Sequence, residues 1–232
     1  MTPVKGTAAA LKEEFHDLWV DESVFPAIIP EVTEDIMRAV NWCRENGWSV
    51  FPVGLGTSFG DSHSVTTGVL TIISLSRDGI SEPDPLDLAI EVEAGVTSKD
   101  FKSYVESSGF KLDGWPESYP GTVGGLICGL RGPELKHLIL GADIIDGRGR
   151  SLRFGGRVRK NVSGFDVSGL LAGSRGRMAW IDRLYVKLTP GGAPDIGTLP
   201  KSYRVTGREP SEIEQRVFQS LDPDDVFLKN NL

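Results

Sequence analysis

Apolar positions follow two periods along this chain, and the balance between them shifts. In PEVTEDIMRAVNWCRENGWSVFPV, Ile36, Val40 and Cys43 share one helical face, Thr33 is placed to cap the helix and Gly47 to end it. WSVFPV then reads as a buried strand, VLTIISL (69–75) as another, and LDLAIEVEAG alternates as a strand does. Thr97 is set to cap a further helix carrying Phe101, Tyr104, Val105 and Ser108, closed by Gly109, and residues 7–20 suit a short amphipathic helix. Strand pattern dominates from there. HLILGADIIDGRGRSLRFGG holds two strand-like runs around Asp146-Gly147-Arg148-Gly149, a hairpin signal, and MAWIDRLYVKLTP (178–190) alternates again. Residues 190–210 are rich in Pro and Gly and read as a linker; a last helix starts at Ser211, with Glu214 completing a capping box. No internal repeat is visible. An α/β part is thus expected to precede a mostly antiparallel sheet.

Composition narrows the function. A formal net charge of -7 leaves no basic surplus for nucleic acid or an anionic membrane surface. Cys43 and Cys128 match no metal or redox spacing and read as buried reduced thiols, and His16, His63 and His137 are scattered, so no metal site is expected. The N-terminal residues lack the apolar core of a signal peptide, and no run approaches the ~20 apolar residues of a membrane span. A soluble, cytoplasmic protein is expected, meeting a membrane only through a complex.

Twenty-eight glycines in 232 residues are many, and they cluster. VGLGTSFGDS (53–62) follows a strand but is no Rossmann turn: Phe59 stands where the third glycine belongs, no helical period follows, and no P-loop lysine is present. A loop with glycines at 54 and 56 still lets successive backbone N–H groups approach an anion, helped by the Thr57 and Ser58 hydroxyls; taken alone, a plain turn fits it better. Three more stretches, SYPGTVGG (118–125), KNVSGFDVSGLLAGS (160–174) and GSRGRMAWI (173–181), share its character. Loops of this kind converging on one ligand suit a long molecule with a diphosphate and a planar ring.

In this order the motifs from about Phe25 to Pro190 resemble the FAD-binding domain of the vanillyl-alcohol oxidase/p-cresol methylhydroxylase (PCMH-type) family, and RFGGRVRKNVSGFDVSGLLAGS is most similar to FAD-binding subunits of bacterial glycolate oxidase. The resemblance implies an α+β fold, with a small α/β subdomain and a larger, mostly antiparallel one meeting near residue 112. It implies that Gly54, Leu55, Gly56, Thr57 and Ser58 form the pyrophosphate loop, and that Gly121, Thr122, Gly124 and Gly125 form a second loop against flavin and diphosphate. Gly173, Ser174 and the backbone near Ile181 would lie beside the adenosine half. Lys160, Asn161 and Asp166 belong to the family's motif near the cofactor, although an ion pair or a helix cap suits Lys160 and Asp166 equally well. The family tethers flavin, where it does, through His or Cys; the pyrophosphate loop has neither, and His63 lies beyond the usual position, so FAD is expected to be non-covalent.

The chain departs from the family's pattern in four places. The basic residue that often precedes the first loop glycine is Val53; the run after GLRGP is short; Arg177-Met178-Ala179 replaces a glycine-containing segment; and residues 191–232 form a linker and a closing helix in place of a cap domain. With both ends of the pattern present, the chain is expected to be complete but uncapped. The resemblance implies an FAD-dependent oxidoreductase subunit that passes electrons from a 2-hydroxy acid or a partner through FAD. Activity would require a partner, an iron–sulfur or substrate-domain chain; the chain has no cysteine set for a cluster of its own. The alternative is a non-catalytic FAD- or nucleotide-binding scaffold subunit. No catalytic residue is assigned from the sequence.

Overall fold

A computed structural model describes residues 6–20, 26–57, 68–129, 132–156, 167–191 and 212–227. Its elements run α1 (Ala8–Glu14), β1 (Ala27–Ile28), α2 (Thr33–Asn46), β2 (Ser49–Val53), β3 (Val69–Ile73), β4 (Ala89–Glu93), α3 (Ser98–Ser107), β5 (Phe110–Lys111), α4 (Val123–Cys128), α5 (Gly132–Leu135), β6 (Ile139–Ile145), β7 (Ser151–Gly155), α6 (Val167–Leu171), β8 (Trp180–Lys187), β9 (Thr189–Pro190) and α7 (Glu212–Leu221). Among the described residues they form a parallel sheet in the order β1-β3-β2, an antiparallel sheet β4-β8-β6-β7, and a short β5-β9 pair. This is the α+β architecture expected from the sequence. No described helix is long and apolar enough to cross a membrane.

The parallel sheet forms because its strands are short apolar runs covered by helix. α2 lays Ile36, Ala39, Val40 and Cys43 against Val50, Leu70 and Ile72, all buried, and Leu11 and Phe15 join the same cluster. Burial pushes the Cys43 thiol from 9.0 up to about 12, as expected where the charged form is excluded from water. Gly47, at φ 71°, ends α2 as the sequence implied. Its start differs. Val32 is the capping position, and the Asp35 carboxylate accepts from the Glu31 and Val32 N–H groups at 3.2 Å. Thr33 is the first helical residue, and its hydroxyl donates to Asp182 at 2.9 Å. A long-range partner therefore takes the oxygen that the local pattern had assigned to the cap.

The antiparallel sheet packs α3 and α4 on its core. Phe101 and Val105 point inward from α3, Thr97 caps that helix by accepting from Asp100 N–H, and Trp115 meets Phe101 edge-on at 5.3 Å. β6 and β7 make the hairpin foreseen around Asp146–Gly149. β8 is not the half-exposed strand its alternation suggested, since it lies centrally between β4 and β6 and is covered on both faces. Its polar members have partners: the Tyr185 hydroxyl donates to Asp143 at 2.9 Å, and Asp182 is bound by Arg77. β4 pairs with β8 from Ala89 to Glu93, in the antiparallel sheet. The alternation of LDLAIEVEAG reveals a strand but not its neighbour.

Two devices join the sheets. The chain leaving β3 makes a 3-10 turn (Ser74–Ser76) and crosses directly over Gly95, whose N–H donates to the Arg77 carbonyl at 2.8 Å; a Cβ at 95 would strike the carbonyl oxygens of Ser74 and Arg77. From the same turn the buried Arg77 guanidinium reaches Asp182 by Nε and Nη2 at 3.1 Å, Glu93 at 2.7 Å and the Glu31 carbonyl at 3.1 Å. At the other end, after α7, Asp222 accepts from Val226 and Phe227 N–H at 2.8 and 2.9 Å, and Phe227 bridges to Val50 with its side chain buried.

Removing one member of a buried ion pair leaves an uncompensated charge, at a cost of about 3–5 kcal/mol. Arg77→Met is therefore expected to lower unfolding stability by about that amount, and adding Asp182→Leu to recover part of it. Chemical denaturation of the three proteins checks this; an Arg77→Met variant as stable as the parent would show that the pair does not join the sheets.

Candidate functional site

A cavity of about 450 Å³ opens where the two sheets meet. Its first wall is the segment leaving β2, containing Gly54, Leu55, Gly56 and Thr57; the facing wall is Gly121, Thr122, Gly124 and Gly125; Ile181 and Trp180 at the start of β8 form a third side, and Ser74 and Ala94 the floor. The sequence motifs thus come together from distant parts of the chain. Gly173 and Ser174 do not line the cavity. They stand behind it, where Gly173 packs on Pro133 and the Ser174 hydroxyl donates to the Cys128 thiol at 3.7 Å, because the turn they begin presents its later residues, Arg175 and Gly176, to the opening. Ser58, Lys160 and Asp166, together with Asn161 and His63, lie outside the described residues.

Close backbone contact shapes these walls. A Cβ at Gly54 would strike the Thr122 hydroxyl, one at Gly121 would lie 2.5 Å from the Tyr119 ring, and one at Gly124 2.9 Å from the Ala94 methyl. Thr122 caps α4 by accepting from Gly125 N–H at 3.2 Å, while Val123 and Gly124 N–H donate to the Val96 and Ala94 carbonyls at 2.8 and 2.9 Å. The second loop is therefore fastened to the end of β4. Gly56 sits at φ 70°, in the left-handed region, so the turn out of β2 asks for glycine there on backbone grounds alone.

The lining is apolar along its sides and carries no carboxylate or imidazole among the described residues. Arg175 is the one charged residue among the described residues there. Cys128 also faces the cavity; burial raises its thiol against the lowering effect of hydrogen bonds from Ser174 and Gly176, so it stays protonated at neutral pH. These features fit FAD. Bare backbone at the glycine walls admits a diphosphate, the apolar sides admit planar rings, and none of the described lining residues is acidic. The lining residues that the sequence pattern did not single out, Ser74, Ala94 and Trp180, carry no local signal, because only tertiary packing brings them to the floor and side.

Residues 26–155 match the family described as FAD binding domain. The chain is 31% identical over 171 residues to glycolate oxidase subunit GlcD of Bacillus subtilis, covering 70% of this chain and 36% of that protein. It is 37% identical over 121 residues to glycolate oxidase subunit GlcE of Escherichia coli, covering 48% and 35%. It is 28% identical over 173 residues to mitochondrial D-lactate dehydrogenase [cytochrome] 1 of Saccharomyces cerevisiae, covering 69% and 29%. The chain thus spans about a third of the length of these relatives. Among solved structures, alkyldihydroxyacetonephosphate synthase shares the fold with a TM-score of 0.59 at 14% identity, covering 71% of this chain and 31% of that one.

Gly56→Val adds a branched side chain at a left-handed position in the cavity wall. Loss of FAD binding is expected, with far-UV circular dichroism largely unchanged. A variant that takes up FAD as the parent does would remove Gly56 from the cofactor wall.

Proposed function

As the chain belongs to the FAD-binding domain family, we propose that it is the flavin-holding subunit of an oxidoreductase acting on a 2-hydroxy acid, working with a partner chain. The observation that carries this reading is the cavity itself, in which glycine-bearing segments from both sheets converge. The relatives named as glycolate oxidase subunits and as a D-lactate dehydrogenase support the substrate class and a multi-subunit setting. Residues 1–190 would form the FAD-binding domain, and 191–232 a linker and closing helix. The protein would act in the cytoplasm, near a membrane only through its complex.

When bound, FAD supplies the capacity to accept two electrons from the substrate and pass them on. The chain's own residues would bind and orient it. Gly54 to Ser58 would turn backbone N–H groups and hydroxyls to the diphosphate, Gly121, Thr122, Gly124 and Gly125 would meet flavin and diphosphate, and the start of β8 at Ile181 would flank the adenosine half. Gly173 and Ser174 would act from behind, by holding the turn that precedes β8; Lys160 and Asp166 would lie near the cofactor. No side chain in the pyrophosphate segment offers a covalent tether, so FAD would be held by non-covalent contacts alone.

Oxidation of a hydroxy acid also requires a group that accepts the hydroxyl proton. This reading looks to the partner to complete the substrate pocket; the alternative is an FAD-binding scaffold subunit without turnover of its own.

Acid precipitation is expected to release the flavin into the supernatant; yellow colour retained by the washed pellet would contradict the non-covalent assignment. With an artificial electron acceptor, the purified chain is expected to oxidise glycolate or lactate negligibly, because positioning and proton transfer together supply several powers of ten in rate. Adding the partner should restore turnover. Brisk, saturable oxidation by the single chain would overturn the subunit reading, and a flavin-loaded complex with no turnover would favour the scaffold.

A further inference from the structure

Arg175 is the single charged residue among the described residues lining the cavity, in a chain with a formal net charge of -7. The turn that carries it has three residues at positive φ: Gly173 at 83°, Arg175 at 56° and Gly176 at 72°. Glycine takes such angles freely. A residue with a Cβ takes them where its surroundings hold it there, and such positions cluster at ligand sites. Two contacts hold this one. Arg175 N–H donates to the Cys128 carbonyl at the end of α4, at 2.8 Å, and Gly176 lies against Pro52 of β2, where a Cβ at 176 would be 3.5 Å from the ring Cγ. The arginine is thereby wedged between the two elements that carry the glycine walls. The residue that leads into the first wall, Val53, is neutral and brings no cation to that side.

We propose that Arg175 supplies the counter-charge for the diphosphate of bound FAD. The proposal rests on the FAD reading above and adds a residue to it. Backbone N–H groups offer partial charges, whereas a diphosphate diester carries two full negative charges that lose water on entering a cavity. A guanidinium meets phosphate oxygens with two parallel N–H donors, which suits it to this task. Glycine would take this left-handed backbone without strain, so the arginine stands there at a conformational cost.

The test titrates the full-chain apoprotein with FAD, followed by flavin fluorescence, and with ADP in competition, at low and high salt. The parent is compared with Arg175→Gly and Arg175→Lys. Arg175→Gly should bind both FAD and ADP about 10- to 100-fold more weakly, the range expected for a charged hydrogen-bond partner. Its FAD affinity should also lose most of its salt dependence. The thermal midpoint of the apoprotein should equal or exceed the parent's, because glycine relieves the positive φ. Arg175→Lys should recover part of the affinity. If Arg175→Gly binds FAD and ADP as tightly as the parent, the role of Arg175 falls and the FAD reading stands. If its affinity drops together with apoprotein stability while the salt response is unchanged, the residue is structural and the proposal falls. A parent that binds neither molecule overturns the FAD reading, and this inference with it.

Discussion

Arg77 is the point on which the arrangement turns. Its guanidinium lies at the junction of the two sheets, bound to Asp182 of β8, Glu93 of β4 and the backbone ahead of α2. Its own carbonyl meets Gly95 beneath the same junction. Ser74, three residues before it, and Ala94, one residue after Glu93, are the floor of the cavity. The fastening of the sheets thus lies directly beside two of the residues that line the cavity. A buried cation amid carboxylates is a costly way to join two surfaces unless every partner is satisfied. Here Thr33 supplies a further hydrogen bond to Asp182, and Arg183 a second contact to Glu93 at 3.3 Å.

The walls above that floor follow a different principle. Where the β2 segment passes the α4 turn, Gly54 faces Thr122 at a separation that excludes even one added carbon. Glycine lets the Thr122 side chain come this close, and peptide groups of both segments form part of the surface left to a ligand. Rigidity comes from the Thr122 cap and the hydrogen bonds from Val123 and Gly124 back to the end of β4. Peptide groups held in this way discriminate poorly by size but well by charge, which gives weight to Arg175 at the rim of the same space.

Much of this was legible in the chain. The periods of Ile36, Val40 and Cys43 and of Phe101 and Val105 predict their helices, and Asp146–Gly149 predicts its hairpin. The glycine clusters foretell which distant segments converge, since glycine removes a side chain for a reason that local structure does not supply. What escaped was tertiary choice. Thr33 looks like a cap because the capping signal is local, yet Asp182, far along the chain, claims its hydroxyl. Asp182 reads as the polar face of an alternating strand, and only the arrival of Arg77 makes its burial possible. Gly173 and Ser174 belong to the right turn, but the three positive φ angles within that turn decide which of its residues face the cavity.

The bridge from Val50 to Phe227 bears on how the molecule comes to be assembled. β1, β2 and β3 leave the ribosome well before residue 227 and bring most of their own helical cover, yet the edge of β2 that meets Phe227 stays open until that residue has emerged. Contacts so distant in sequence form late, after a large loss of chain entropy. During synthesis the parallel sheet thus presents an unpaired edge, the feature that invites wrong pairing with other chains. The strand that leads into the glycine wall is made long before the contact that seals it.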